Sequence, residues 1–272
     1  MTTLRKHKNL MAGAFIIATI LLAAMSAPVI APYDPYLQNL SITFQAPSLV
    51  HLFGTDQYGR DVLSRILYGA RLSLVEIFIG VGLALLFGVP CGLVSGYFGG
   101  TLDKVVTWTM DVLYAFPGIV LTLLIVAILG PNLLNTLVAI AVFSVPVYTR
   151  LTRNLTLSLK QMEFIEAARA LGAGDVRILL RHVLPNALVP ILVQATLSAG
   201  EVVLTASGLS FLGLGAQPPL AEWGAMMGEG RNFLGVATYL SLFPGAVITF
   251  AALGFNVLGD GLRDKLDPKL RG

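Results

Sequence analysis

The side chains able to do chemistry in this chain are few, and their placement speaks against catalysis. The acids within or at the edges of long apolar runs are Glu76, Asp111 and Glu201. Carboxylates so placed face a cavity or pair internally, and they mark paths for ions or substrates. Glu201, in the outer half of its run, is the candidate for such a path, with a structural hydrogen bond as the alternative. His7, His51 and His182 all fall outside the apolar runs, so no histidine relay for a bare metal ion crosses them. The single cysteine, Cys91, lies inside an apolar run, which leaves no disulfide framework and no Cys-based metal site. A phosphate-binding loop needs GxxxxGK[ST], and none of the six lysines is followed by Ser or Thr. No nucleophile–His–acid constellation stands out. The chain is therefore expected to be no enzyme, and to hold no metal or cofactor of its own.

What remains is the chemistry of contact, concentrated in Glu163–Asn186, EFIEAARALGAGDVRILLRHVLPN, a water-compatible stretch between apolar runs. From Gln161 to Leu171, residues Phe164, Ala167, Ala168 and Leu171 share one stripe of an amphipathic helix. Gly172 follows where a helix ends on a glycine of positive φ. Gly174 permits a turn, and Asp175 suits the N-cap of a second helix carrying Ile178, Leu179 and Leu180. Pro185 marks the passage from that helix into the next apolar run. Paired alanines on an exposed face anchor a helix poorly to its own core, but they let a partner's backbone approach closely.

The elements that must position this stretch are membrane spans. At 56% hydrophobic and 12% charged, 272 residues carry too little charge to cover a soluble globule. The net charge of +3 does not point to nucleic acid, because the basic residues are not interleaved with aromatics. After a basic N-terminus (1–8), the run 9–33 is too long for the apolar part of a cleaved signal peptide and is expected to span the bilayer. An external loop with a short interfacial helix is expected over 34–71, its stripe being Val62, Leu63, Ile66, Leu67 and Ala70. A transmembrane domain follows over 72–262, with spans near 74–98, 105–129, 133–149, 187–207 and 238–259 and the contact stretch within 155–186. Small residues recur every four positions from Gly80 to Gly96, which suits close packing either within the chain or against a partner. A Gly/Pro-rich external loop with Trp223 at the interface precedes the last span, and a charged tail covers 263–272. In this topology 14 of the Lys and Arg residues are cytoplasmic and 4, namely Arg60, Arg65, Arg71 and Arg231, are external. That asymmetry has the sign of the positive-inside rule for six helices with both termini inside.

The contact stretch resembles the EAA loop of ATP-binding-cassette importer membrane subunits, described as EAA, three residues, Gly, nine residues, Ile-x-Leu-Pro. Glu166-Ala167-Ala168, Gly172 and Leu184-Pro185 stand at those spacings, with His182 in place of the isoleucine. An Arg-His-aliphatic-Leu-Pro-Asn ending is similar to the peptide and nickel branch. The segments FGTDQYGRDVLSRILYGARLSL and SFLGLGAQPPLAEWGAMMGEGRNF resemble the C-type subunits of dipeptide and oligopeptide importers. The resemblance implies an all-α protein of six transmembrane helices with the type I importer permease fold. Glu166, Ala167, Ala168, Gly172, Leu184 and Pro185 would then form a coupling element seated in a cleft of an ATPase subunit. The implied partners are a homologous second permease, two ATPase subunits or domains that hold ATP and Mg, an external solute-binding protein and the bilayer, with no nucleic acid. The implied site is a prokaryotic cytoplasmic (inner) membrane, and the implied cargo is di- or oligopeptides. A nickel or nickel-chelate permease is the alternative within the family, and a stand-alone channel is a more distant one.

Overall fold

Long uncharged runs can satisfy their backbone in hydrocarbon only by closing hydrogen bonds within each segment. The computed structural model describes residues 2–266, with side chains from Lys8 onward, and among these the chain is helical. The one extended pairing among the described residues is an isolated bridge between Thr55 and Asp61. The long helices are α1 (Thr2–Ile30), α2 (Val62–Phe98), α5 (Leu133–Leu159), α8 (Leu184–Phe211) and α10 (Tyr239–Leu266). Between them lie α3 (Gly100–Tyr114), α4 (Gly118–Leu129), α6 (Glu163–Ala170), α7 (Asp175–Ile178) and α9 (Trp223–Gly230). Five helices are long and apolar enough to cross a membrane, and six crossings result if α3 and α4 count together. The expected tail beyond Leu266 and the side chains of Arg5, Lys6 and His7 lie outside the described residues.

Helices α2, α5, α8 and α10 enclose the main core, where Ile77, Ile140, Val202, Val203 and Leu209 are almost fully buried. The small-residue stripe of α2 serves this internal packing. A Cβ added at Gly88 would lie 2.8 Å from the Val145 carbonyl oxygen, and one at Gly92 2.4 Å from that of Thr149. Added at Gly96, it would lie 2.7 Å from the Arg153 carbonyl oxygen, so α5 rides on the backbone of α2 along three turns.

Three expectations give way here. The short interfacial helix over 62–71 is instead the first part of α2, which runs unbroken to Phe98. The apolar stripe suited an interfacial position, but Arg65 on the other side is buried and held within 4 Å of Asp56 and Glu229. The span expected over 105–129 is two helices, α3 and α4, meeting at 89°. Pro117 has no N–H to continue a helix and disfavours helical geometry at Phe116, so a new helix starts from its carbonyl. Trp223 is not interfacial: it is fully buried, and its indole N–H donates to the Ile66 carbonyl at 3.0 Å.

The loop between α1 and α2 is built on charge. Asp61 caps α2 by accepting from the Ser64 N–H at 2.8 Å, and its other oxygen lies 2.9 Å from His51 Nδ1. Arg60 is buried and donates to Asp56 at 2.6 Å and to Glu229 at 2.8 Å. This clasp ties the loop after α1 to the end of α9. Glu222 caps α9, accepting from the Gly224 and Ala225 N–H groups at 2.8 and 2.7 Å. Burial pushes that carboxyl above its ordinary range, and the two backbone donors act in the opposite sense.

Candidate functional site

Eight residues make a helix that is marginal by itself, and the apolar anchor of α6 is one buried side chain. Ile165 is fully buried in a cluster with Leu93, Tyr97, Ile178, Leu179 and Val183, a burial that contributes about 1.5–3 kcal/mol. Glu163 and Glu166 lie in the first turn and Arg169 in the last, the order the helix dipole favours. The helix ends in a Schellman motif. The Gly172 N–H donates to the Arg169 carbonyl at 2.9 Å and the Ala173 N–H to that of Ala168 at 3.0 Å. Gly172 takes φ +83°, and a Cβ added there meets nothing within 4 Å. Backbone conformation, not space, therefore calls for glycine at this position.

With Ile165 turned inward, the rest of α6 faces out. Glu166, Ala167 and Ala170 are exposed, and Ala168 is half-buried. Met162, Phe164, Leu171, Val176 and Leu180 add exposed apolar surface beside them, with Leu171 89% exposed. The hairpin therefore presents a mixed apolar and charged face that its own chain leaves uncovered.

In the second limb the passage at Pro185 into the next apolar run is made without leaving the helix. Helix α7, a π-helical turn at Leu179–Val183, and α8 form one continuous 37-residue rod, Asp175–Phe211. The Leu184 N–H reaches back five residues to the Leu179 carbonyl, and this wider turn admits Pro185, which has no N–H to offer, at the second position of α8. Asp175 is not the N-cap: that position is Gly174, and the Asp175 carboxylate instead accepts from the Tyr97 hydroxyl at 2.7 Å. Arg169 donates to the same hydroxyl at 3.3 Å. That contact, with the carboxylates of Asp175 and Glu166, holds the guanidinium above its usual value and keeps it charged. Lys160 donates to the Gly96 carbonyl at 3.0 Å. Arg153 makes a two-pronged bond to Asp103 at 2.5 and 2.6 Å. The hairpin is thus fastened to the end of α2, and α5, which leads into it, is fastened to α3. Tyr97 and Arg153 escaped the sequence reading; the one trace of Tyr97 was its four-residue spacing from Leu93 at the close of an apolar helix.

The three acids associated with the apolar runs separate. Asp111 pairs with Arg150 at 2.6 Å on a half-exposed surface, and Glu76 is buried. Glu201 is exposed on α8, on the same helical face as Gln194, Leu197 and Thr205. Toward the Asp175 end of that face opens a groove of about 430 Å³ between α5, α8 and α10, lined by Val193, Gln194, Leu197 and Arg263 among others. The His51 ring lies beside Asp61, while the contact at His182 is made by its backbone carbonyl, which accepts from the Asn186 side chain.

Residues 88–272 match the family described as the binding-protein-dependent transport system inner membrane component, and residues 1–47 match the N-terminal transmembrane domain of oligopeptide transport permease C. The chain is 48% identical over 268 residues to the dipeptide transport system permease protein DppC of Alkalihalophilus pseudofirmus, covering 98% of this chain and 88% of that protein. It is 44% identical over 270 residues to the glutathione transport system permease protein GsiD of Pectobacterium atrosepticum, covering 98% and 89%. Among solved structures, it is similar to an inward-facing conformation of the MetNI methionine ABC transporter, with a TM-score of 0.56 at 19% identity over 74% of this chain and 97% of that one. A second crystal form of the same transporter gives 0.52 at 22% identity over 71% and 94%. At such identities the likeness speaks to fold, and the fold is that of a type I importer permease. Long apolar helices, an outward-facing hairpin and these matches together make the chain a member of the binding-protein-dependent transport system inner membrane component family, a multi-pass permease subunit of an ATP-binding-cassette importer.

Proposed function

We propose that this subunit forms half of a pore for di- or oligopeptides and that the α6–α7 hairpin couples the pore to ATP hydrolysis on partner chains. The observation that carries the reading is the hairpin's construction. Its inner side is locked to α2 by Ile165 and Tyr97, and its outer side, with Glu166 and Ala167 exposed and Ala168 half-buried at the edge, is left open by its own chain. A partner docked on that side moves the hairpin as a unit. The rod Asp175–Phe211, carrying Leu184 and Pro185, transmits the movement to the face that bears Glu201, about 39 Å away along the helix axis. Gly172 sets the angle between the limbs.

The partners in this reading are two ATPase subunits that hold ATP and Mg, a homologous but distinct second permease, and an external binding protein. Both termini lie on the cytoplasmic side of a prokaryotic cytoplasmic membrane. Peptides are favoured over nickel chelates because the relatives named above carry dipeptide and glutathione in their names. Glu201 lines the path in this reading, because an exposed carboxylate within a spanning helix is stable only toward a cavity or a partner, not toward lipid. The test is reconstitution of the assembled complex in vesicles. Peptide-stimulated ATPase and uptake are expected only with the ATPase, second permease and binding protein all present. Flux through this chain alone, or stimulation by nickel chelates and not by peptides, contradicts the proposal.

A further inference from the structure

The two sides of α1 are built differently. One side carries Gly13, Ile17, Ala24 and Ala27, all buried. It meets α10 so closely that a Cβ on Gly13 would lie 2.4 Å from the Leu258 nitrogen and one on Gly254 2.6 Å from the Ile16 side chain. Small residues at close approach are what helix pairs in a bilayer use. The other side carries Met11, Phe15, Leu22, Met25 and Val29, which share one stripe and are 65–86% exposed. From Met11 to Val29 that stripe is about 27 Å long, close to the roughly 30 Å of a hydrocarbon core. Large flexible side chains along the full thickness of the bilayer suit acyl chains rather than another helix.

The loop after α1 carries further exposed apolar residues close to the end of that helix. Tyr33, three residues beyond the end of α1, donates its hydroxyl to the Val50 carbonyl at 3.0 Å, and its ring packs 4.6 Å from that of His51. His51 is in turn tied to Asp61, the cap of α2. Ser48 and His51 close a tight turn, the Ser48 N–H donating to the His51 carbonyl at 2.8 Å and the His51 N–H to the Ser48 hydroxyl at 3.1 Å. The residues at its tip are Leu49, 97% exposed, and Val50, 65% exposed. The tip is thus pinned beside the end of α1 and the cap of α2, and tyrosines such as Tyr33 favour the interface of a membrane.

We propose that the turn Ser48–His51 seats Leu49 and Val50 in the outer leaflet, making the external loop a lipid anchor beside α1. Assignment to the outer leaflet rests on the orientation proposed above; a reversed chain would place the same tip in the opposite leaflet without changing its lipid contact. The experiment uses the assembled complex in lipid nanodiscs, without binding protein, in a Cys91→Ser background. Nitroxide labels are placed through Leu49→Cys, Val50→Cys, Phe15→Cys as the lipid reference and Asn232→Cys as the water reference. Collision with oxygen, which concentrates in lipid, is compared with collision with a water-soluble nickel chelate. At both tip positions the oxygen-to-chelate ratio is expected to match that at Phe15, with loss of the chelate access seen at Asn232. Chelate access equal to Asn232 overturns the proposal and leaves the tip free in water for a soluble partner. Shielding from both probes also overturns it, placing a protein subunit over the tip.

Discussion

Substituting Gly172 by valine separates backbone strain from crowding, because the structure leaves the space beside it empty. A Cβ at Gly172 or at Gly174 meets no atom within 4 Å, yet Gly172 has φ +83° while Gly174 has φ −72°. A β-branched residue at Gly172 is strained by about 1–2 kcal/mol, and the strain is relieved only by re-aiming α6 relative to α7. A shift of that size changes the balance between aligned and misaligned hairpins by a factor of roughly 5–30. Gly172→Val is thus expected to assemble in normal amounts but to lose most uptake per ATP hydrolysed in reconstituted vesicles. Gly172→Asn, whose side chain tolerates the left-handed region, should retain more. Gly174→Ser, two residues away, places a good N-cap residue at the start of α7 and should transport at the native rate. If Gly172→Val transports as well as Gly174→Ser, the conformational argument for the hairpin is wrong.

Tyr97→Phe keeps the ring in its apolar cluster but removes the 2.7 Å bond to Asp175, a loss of about 1 kcal/mol. More ATP per peptide transported is expected at unchanged complex abundance, and an unchanged ratio would remove Tyr97 from the coupling path. Glu229→Ala leaves buried Arg60 and Arg65 short of an anion and should destabilise the clasp between the α1–α2 loop and α9 by about 3–5 kcal/mol. A thermal-unfolding midpoint of the complex unmoved by that change would refute the clasp's structural weight. For topology, a thiol introduced by Asn232→Cys should react with an impermeant reagent added outside, and one introduced by Asp175→Cys only after the membrane is opened. Labelling of the latter in sealed cells would reverse the orientation.

Features that depend on a short stretch of chain were legible in the sequence. The uncharged runs stand out because a bilayer excludes charge over a fixed length, and the turn at Gly172 because a helix end has local backbone requirements. Features that depend on a distant partner were hidden. Trp223 looked interfacial because nothing nearby in sequence announces that Ile66 offers its carbonyl. Asp175 looked like a cap because its real partner, Tyr97, stands 78 residues away. The start of α2 looked like an interfacial helix from its one-sided apolar stripe, because the acids that neutralise Arg65 on its other side come from the preceding loop and from α9. Pro185 marked the passage into the next apolar run, and only the register of the turn before it reveals that a π-helical turn carries the helix through. The choice left open for the α2 glycine stripe, internal packing or partner contact, is decided for Gly88, Gly92 and Gly96 by the carbonyls of α5.

The central claim is that the uncovered side of α6 is where an ATPase subunit sits. Ala167 is exposed there, and its replacement by a photo-crosslinking residue leaves the Ile165 anchor and the Gly172 turn untouched. Irradiation of the assembled complex in membranes is expected to join this chain to the ATPase subunit through position 167, with the same residue at the external position 232 giving no such product. Cross-linking from position 167 only to lipid or to the second permease, in a complex that hydrolyses ATP and transports normally, would contradict the claim.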